Sequence, residues 1–185
     1  MMRLIARRLQ LNNGQWCALR SPEPTEAAQR MAFLHCINAE TDFMARGVSD
    51  SPADEALVAG VIAEQLEDDS ALEIAAWLDN RMIACGSISR IASAYPRKRH
   101  RAQLGIAVLR EYWGLGLATA ILRTLIDAAP DMGYSQIELS VVSENTRAIK
   151  LYRRLGFCEM GRIPDALHLD GGRRLDEILM VLKLE

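Results

Sequence analysis

The sequence predicts a single α/β domain in which one mixed sheet carries helices on both faces. Three observations lead to this prediction. The 185 residues suit one domain with a sizeable core. Half of the residues are apolar and a quarter are charged, as in ordinary globular proteins. The predicted elements follow one another as a strand pair, two helices, three strands, a helix, a strand, a helix and closing strands.

The composition narrows the class of protein further. The net charge of −2 provides no overall basic field that would attract nucleic acid. The four cysteines are far apart and form no C-x-x-C pair, which indicates reduced thiols in a cytoplasmic protein rather than a metal site or a disulfide framework. No apolar run is long enough to span a membrane, and the arginine-containing N-terminus is interpreted as a first strand rather than a signal peptide.

The first half of the chain begins with two strands, "RLIARRLQL" and "QWCALR", joined by the turn "NNG". A helix is predicted over residues 25–37, where Thr25 is a capping residue followed by helix formers. A second helix follows a polar connection. Ser51 is its predicted N-cap, with Pro52 at the first helical position.

The second half begins with a β-hairpin, in which "ALEIAAWL" and "RMIACGSISRIA" flank the turn "DN". After the loop "SAYPRKRHR", residues 102–109 form the next predicted strand. The basic residues of that loop are interpreted as solvated, with binding of an acidic substrate or of nucleic acid as the alternatives. No aromatic residues beyond Tyr95 favour nucleic acid.

A helix with an apolar stripe follows the glycine turn "WGLG", and Pro130 and Gly133 end it. Residues 136–142 are the next strand. Asn145 is a suitable N-cap for the helix "TRAIKLYRRL", and Gly156 lies just beyond its end. The stretches "FCEMGRI" and "EILMVLKL" are the closing strands.

The glycine turn between strand and helix has two interpretations. Small residues let a ligand approach the main chain, and free N–H groups at the start of a helix attract anions. The same glycines also suit a tight turn without a ligand, and their spacing alone does not distinguish between the two interpretations. A dinucleotide fingerprint would require a small residue where Thr119 stands, and a P-loop would require Gly-Lys-Ser/Thr. Neither motif fits.

Two linked stretches, "VLREYWGLGLATAIL" and "IELSVVSENTRAIKLYRRLGF", resemble the GCN5-related N-acetyltransferases, the GNAT family. The family's phosphate signature is Arg/Gln-x-x-Gly-x-Gly/Ala, and Trp113 stands here in the Arg/Gln place. The second family block is Asn-x-x-Ala-x-x-x-Tyr-x-x-x-Gly-Phe, and this chain matches it in full. The resemblance covers residues 81–162.

The resemblance implies one GNAT-type domain over residues 1–185, with a mixed, mostly antiparallel sheet of six to seven strands and a parallel, splayed central pair. It implies acetyl-CoA as the donor, with the pantetheine arm along residues 105–109 and a bulge between Ile106 and Leu109. Since Trp113 carries no charge, main-chain contacts are expected to carry more of the pyrophosphate recognition. The cofactor-binding residues that it implies are Ile106, Ala107, Val108, Trp113, Gly114, Leu115, Gly116, Leu117, Ala118, Thr119 and Asn145.

The resemblance also implies catalytic roles. Tyr152 stands where the family has its general acid, and it lies on the inward stripe of its helix; the alternative is a core tyrosine. The resemblance does not identify the general base, because Ser140 occupies the position where ribosomal-protein-type members carry Glu. We expect deprotonation through water or by a carboxylate lining the substrate. The candidates are Glu138, Glu40, Asp42, His100, Asp176 and Glu177.

The sequence therefore predicts a cytoplasmic N-acetyltransferase that transfers acetyl from acetyl-CoA to a small-molecule or amino-acid-like primary amine. No metal, nucleic acid or membrane is expected to take part, and family precedent allows a homodimer. The alternatives are a non-catalytic acyl-CoA-binding or regulatory domain, a protein N-terminal acetyltransferase and, more remotely, a dinucleotide-binding enzyme.

Overall fold

The computed structural model describes residues 3–91 and 95–184. The last residue of the predicted strand "RMIACGSISRIA" and the start of the loop after it lie outside the described residues. Within the described part, the α-helices and strands are β1 (Arg7–Gln10), β2 (Trp16–Arg20), α1 (Ala27–Glu40), α2 (Glu55–Glu67), β3 (Ala71–Leu78), β4 (Arg81–Arg90), β5 (Arg101–Val108), α3 (Leu117–Ala128), β6 (Gln136–Val142), α4 (Thr146–Arg154), β7 (Cys158–His168) and β8 (Arg174–Lys183).

The strands form one sheet in the order β1-β2-β3-β4-β5-β6-β8-β7. Every neighbouring pair is antiparallel except β5 and β6, which are parallel. The predicted mixed, mostly antiparallel sheet with a central parallel pair is confirmed. The described residues contain eight strands rather than six to seven, because both edges carry a full partner strand. The four-residue β1 pairs with β2, and the long β7 pairs with β8.

Helices cover both faces of the sheet, as predicted. Cys85 and Gly86 are neighbours in β4 and therefore point to opposite faces. A Cβ built on Gly86 would meet Ile121 of α3, whereas the Cys85 side chain contacts a carboxylate that is bound to α1. Consequently α1 and α3 lie on opposite faces. A Cβ on Gly156, just after α4, would meet Leu182 of β8, which points to the α3 face of the sheet. The helix α4 therefore lies on the same face as α3.

A buried ion pair fixes α1 on its face. The Glu73 side chain of β3 is nearly fully buried, and Arg30 of α1 donates to its Oε1 at 2.6 Å. The thiol of Cys85 donates to the same oxygen at 2.9 Å. Burial, reinforced by the Glu73 carboxylate, raises the pKa of Cys85 well above its usual value, so this cysteine stays a neutral thiol.

The start of α2 differs from the prediction. Its N-cap is Asp54, whose Oδ1 accepts hydrogen bonds from the N–H groups of Ala56 and Leu57. Ser51 does not cap the helix, because its hydroxyl accepts a hydrogen bond from Asn38 Nδ2 instead. Pro52 consequently lies before the helix. The predicted cap of α4 is confirmed, since Asn145 Oδ1 accepts from the N–H of Ala148 at 3.1 Å.

Gly86→Ala should destabilise the protein. An added Cβ would lie 2.7 Å from Cγ2 of Ile121 and 2.9 Å from Cδ1 of Ile106, and overpacking of a core costs about 1–3 kcal/mol. The matched control is Gly60→Ala in the exposed middle of α2, where a Cβ meets nothing within 4 Å. That change should stabilise the protein by about 0.5–1 kcal/mol. Urea unfolding measures both effects, and a neutral Gly86→Ala would contradict the packing of α3 on β4.

Candidate active site

A gap opens in the middle of the sheet where β5 and β6 separate. The two strands pair at Arg101–Gln136, Ala102–Ile137 and Gln103–Glu138 and no further. Beyond this point β5 stays with β4 as far as the pair Ala84–Val108, and β6 stays with β8 as far as the pair Val142–Glu177. The splayed parallel pair is thus present. Each strand is held by its own antiparallel neighbour while the gap widens.

The predicted bulge between Ile106 and Leu109 is wrong. The pairing of β5 with β4 keeps one register up to Val108, and the N–H of Leu109 still donates to the carbonyl of Ile83. Backbone groups of successive residues alternate in direction, so Ala107 faces β4, while Ile106 and Val108 direct theirs into the gap. The gap therefore forms by divergence of β6 and needs no extra residue in β5.

The glycine turn stands at the open end of this gap. Gly114 and Gly116 have φ angles of +80° and +91°, a left-handed conformation in which other residues are strained. Gly116 is also the N-cap residue of α3. The N–H groups of residues 114–119 meet no protein acceptor in the described parts of the chain. Six consecutive donors at a helix start form a binding surface for an anion.

The turn between β1 and β2 supports the glycine turn from the side. Asn12 donates its backbone N–H to the carbonyl of Leu115 at 3.1 Å and its Nδ2 to the carbonyl of Gly114 at 3.2 Å. A Cβ on Gly116 would lie 3.4 Å from Asn12 Oδ1. From the sequence, "NNG" is predicted only as a turn between two strands. No sequence signal relates Asn12 to a site 102 residues away.

Trp113 directs its indole back to the end of β5. Its Nε1 donates to the carbonyl of Val108 at 2.7 Å. The guanidinium carbons of Arg110 and Arg147 lie 5.7 and 5.2 Å from the centre of the Trp113 ring. Positive charge is therefore present at the turn, although position 113 itself is uncharged. The sequence did contain a signal for Arg147, because a cation in the first turn of a helix opposes the helix dipole.

Tyr152 lies on the inward face of α4, where its side chain is buried, and its ring packs edge-on against Phe157. Burial raises the pKa of Tyr152 to about 12. At neutral pH the hydroxyl consequently keeps its proton. This environment is compatible with both interpretations that the sequence left open, a proton donor and a core tyrosine.

The candidate bases differ in their partners. Glu138 is bound through both carboxylate oxygens by Arg101, and these hydrogen bonds lower its pKa. Glu40 accepts from the N–H of Arg110, and Asp42 lies 3.4 Å from Arg173. Asp176 binds Arg162 and the N–H of Asp165. Glu138, Asp42 and Asp176 are thus each paired with an arginine, whereas the group that donates to Glu40 is a neutral backbone N–H.

Glu177 is placed differently from the other carboxylates. The hydroxyl of Ser140 contacts Glu177 Oε1 at 3.1 Å, and no cation binds Glu177 within the described ranges. Ser140 and Glu177 are both on the face of the sheet that carries α1, at the part of β6 that no longer pairs with β5. His100 is an exposed residue just before β5, beyond the paired end and away from the gap.

A second concave region lies away from the gap. This surface depression of 630 Å³ is lined by Arg3, Asp68, Asp69, Ser70, Arg90, Asp131 and Met132. Its three aspartates outnumber its two arginines, so this depression suits an anionic ligand less well than the glycine turn does. The described residues contain no cluster of three His, Cys, Asp or Glu side chains arranged for a metal ion. None of their helices is long and apolar enough to cross a membrane.

Residues 24–157 match the model of the acetyltransferase (GNAT) family, which is most of the chain. The L-amino acid N-acetyltransferase AaaT of Escherichia coli is 30% identical over 96 residues, 51% of this chain and 58% of that protein. The chain spans less than two thirds of the length of the curated relatives that it matches.

Solved structures agree with the fold. The acetyltransferase of GNAT family from Streptococcus pneumoniae superposes with a TM-score of 0.84 at 25% identity, covering 91% of this chain and 99% of that one. A GNAT superfamily phosphinothricin acetyltransferase from Sinorhizobium meliloti, solved in complex with AcCoA, gives a TM-score of 0.79 at 18% identity. That pair covers 95% of this chain and 89% of the other.

Arg101→Gln should raise the pKa of Glu138 toward the ordinary carboxyl value, because the hydrogen bonds from Arg101 are the largest cause of its lowering. A lowered pKa stabilises the fold above the unfolded-state pKa, and this stability is lost as the pH falls through the folded-state pKa. The variant should therefore lose less stability on acidification. NMR titration of the Glu138 carboxyl carbon tests this, with Arg153→Gln as a control at an unrelated ion pair.

Proposed function

The chain belongs to the GNAT family of acetyltransferases, and from this premise we propose that it transfers an acetyl group from acetyl-CoA to the primary amine of a small-molecule or amino-acid-like substrate. One observation carries this proposal. Six N–H groups without protein acceptors, at residues 114–119, stand at the open end of the gap between β5 and β6. A ligand that places an anionic group on this turn and an extended arm in the adjoining gap would use both features at once.

The residues present fit acetyl-CoA. The N–H groups of the glycine turn suit its pyrophosphate, and the backbone of Ile106 and Val108 can pair with the amides of its pantetheine arm, as a sheet edge pairs with a peptide. Ala107 would line the arm without main-chain pairing, since its backbone faces β4. Asn145 would border the arm while capping α4. When bound, the cofactor supplies an acetyl group activated as a thioester.

Tyr152 is proposed to donate a proton to the departing sulfur. Its buried hydroxyl, with a pKa of about 12, holds that proton through the neutral and mildly alkaline pH range. Tyr152 belongs to the face of the sheet that carries α3 and α4, and the gap gives access to that face. A proton donor on this face of the sheet leaves the other face, which carries α1, free for the substrate amine.

Glu177 is proposed to accept the proton of the amine. A substrate ammonium has a pKa of about 10.4, so at neutral pH it must lose a proton before it can attack. Ser140 holds the Glu177 carboxylate at 3.1 Å on the α1 face, beside the gap. A carboxylate without a cationic partner attracts an ammonium group and can take its proton, directly or through one water molecule.

The bonds and protons of the transfer balance with these two groups. The amine nitrogen forms a bond to the acetyl carbon as the carbon–sulfur bond breaks. The ammonium gives up two protons in total. One passes to solvent through Glu177, and the other replaces the proton that Tyr152 gives to sulfur. The products are the N-acetylated amine and a thiol.

The name of the E. coli relative, an L-amino acid N-acetyltransferase, supports a small acceptor. The open face beside Glu177 is partly apolar, since Leu179 and Ile163 are exposed there. An acceptor with a cationic amine and an apolar body would complement this face. We further propose that residues 1–185 form one domain and that the protein is cytoplasmic, in keeping with the scattered free cysteines.

The proposed function is tested by incubating the protein with acetyl-CoA and a panel of free amines, amino acids and N-terminal peptides, while thiol release is followed. Release with free amines or amino acids is the expected result. Release with peptides alone would replace the proposal with a protein N-terminal acetyltransferase. Tight acetyl-CoA binding without release on any amine would identify a binding or regulatory domain instead.

Tyr152→Phe should lower kcat about 100-fold, because general acid catalysis contributes about 10²–10⁴-fold. The dissociation constant for acetyl-CoA should change by less than about twofold, since only the hydroxyl is lost. Steady-state kinetics and calorimetry measure the two quantities. An unchanged kcat would leave Tyr152 as a core residue.

Wild-type activity should show no decline from Tyr152 ionisation below about pH 11.

Glu177→Gln should lower kcat/KM about 10–100-fold at pH 7 and less as the pH approaches about 10, where the free amine no longer needs a base. The pH profile distinguishes a base from a residue that only shapes the site, because a structural defect would lower the rate at every pH. Glu159→Gln, at an exposed ion pair of β7, is the matched control. A uniform loss for Glu177→Gln would contradict the role proposed for it.

A further inference from the structure

Two guanidinium groups flank Trp113, but they are not equivalent. Arg110 is engaged with the end of α1, since its backbone N–H donates to Glu40 Oε2 at 2.8 Å and its Nη2 donates to the Glu40 carbonyl. Arg147 is exposed and lies over the Trp113 ring, and its guanidinium has no carboxylate partner within the described residues. The positive charge of Arg147 is therefore uncompensated.

The free guanidinium lies directly beside the glycine turn. A Cβ built on Gly114 would lie 3.2 Å from Nη2 of Arg147, so the group borders the first of the six unpartnered N–H groups. Arg147 also stands in the first turn of α4, where the helix dipole disfavours a cation. An arginine that meets no acid and opposes a helix dipole is stabilised when an anion binds next to it.

We propose that Arg147 recognises the pyrophosphate of the acyl donor from outside the turn, and that Trp113 holds Arg147 there. This inference rests on the proposed function and names a recognition residue for it. The planar guanidinium can donate two parallel hydrogen bonds to phosphate oxygens, which a main-chain turn cannot do from that side. The charge that position 113 lacks thus comes from α4, a helix distant in sequence from the turn.

Trp113 positions Arg147 through its ring and has no polar atom left for the ligand. Its Nε1 is already bonded to the Val108 carbonyl, which fixes the plane of the indole at the end of β5. The face of the ring then attracts the guanidinium, whose carbon lies 5.2 Å from the ring centre. The side chain of Trp113 thereby links the last residue of β5 to the first turn of α4.

The test is calorimetric binding of CoA and of dephospho-CoA, which keeps the pyrophosphate but lacks the 3′-phosphate. Arg147→Gln should weaken the binding of both ligands about tenfold, the loss of one charge-assisted contact. The control is Arg154→Gln, which removes the same charge from the same helix, about 10 Å further along its axis. It should change both affinities by less than about twofold.

Several results would overturn the assignment. Unchanged affinity in Arg147→Gln would remove Arg147 from the site, and weaker binding of CoA alone would move its contact to the 3′-phosphate. Equal losses in Arg147→Gln and Arg154→Gln would reduce the effect to general electrostatics. If wild-type protein bound neither ligand, the proposed function itself would fail. That outcome is distinct from the others, because it appears before any substitution is made.

The role of Trp113 is tested by a double-mutant cycle. Trp113→Leu should weaken CoA binding about as much as Arg147→Gln, and the double variant should be little weaker than either single one, since both changes remove one interaction. Trp113→Phe keeps an aromatic face and should lose less affinity than Trp113→Leu. Additive losses in the double variant would show that Trp113 does not act through Arg147. Thermal unfolding of each variant checks that the fold is intact.

Discussion

The structure depends on the limited pairing of its one parallel strand pair. Three residue pairs join β5 to β6, after which each strand follows its own antiparallel neighbour. Hydrogen bonds to β4 and β8 satisfy the backbone groups on the outer sides of both strands. Only the backbone groups that face the gap, in a few residues, therefore lack a partner in the sheet. The glycine turn is connected directly to β5, and α4 to β6. Divergence of the two strands therefore sets the distance between the anion-binding turn and the Tyr152 helix.

Much of this arrangement could be predicted from the sequence. The stretches "ALEIAAWL" and "QIELSVV" located β3 and β6 at their observed bounds, and the two family motifs located the glycine turn and the cap at Asn145. The errors have physical causes. Ser51 and Asp54 are both good capping residues, and only the contact with Asn38, made in the folded state, takes Ser51 away from the helix. A bulge in β5 was expected from the gap, but register is a property of two strands and cannot be deduced from one.

The candidate site was predicted less completely, because its supporting contacts join distant parts of the chain. Trp113 was interpreted as the loss of a polar side chain. Its meaning depends on Arg147, which packs on its ring from another helix. Ser140 was interpreted as the absence of a base, whereas Glu177 of the neighbouring strand contacts it. In both cases the role that we propose for one position depends on a residue across a tertiary contact, which periodicity and motif spacing do not report.

The contact of Asn12 with the glycine turn also has a consequence for the order of folding. The N-terminal hairpin is synthesised first, yet the carbonyl groups that it must meet belong to a turn formed 102 residues later. Contacts of such sequence separation require closure of a long loop and are made late on the folding pathway. The support that Asn12 gives to the glycine turn is therefore expected only after the intervening strands have been made. A chain whose N-terminal hairpin has not yet docked would carry the glycine motif without the two contacts from Asn12.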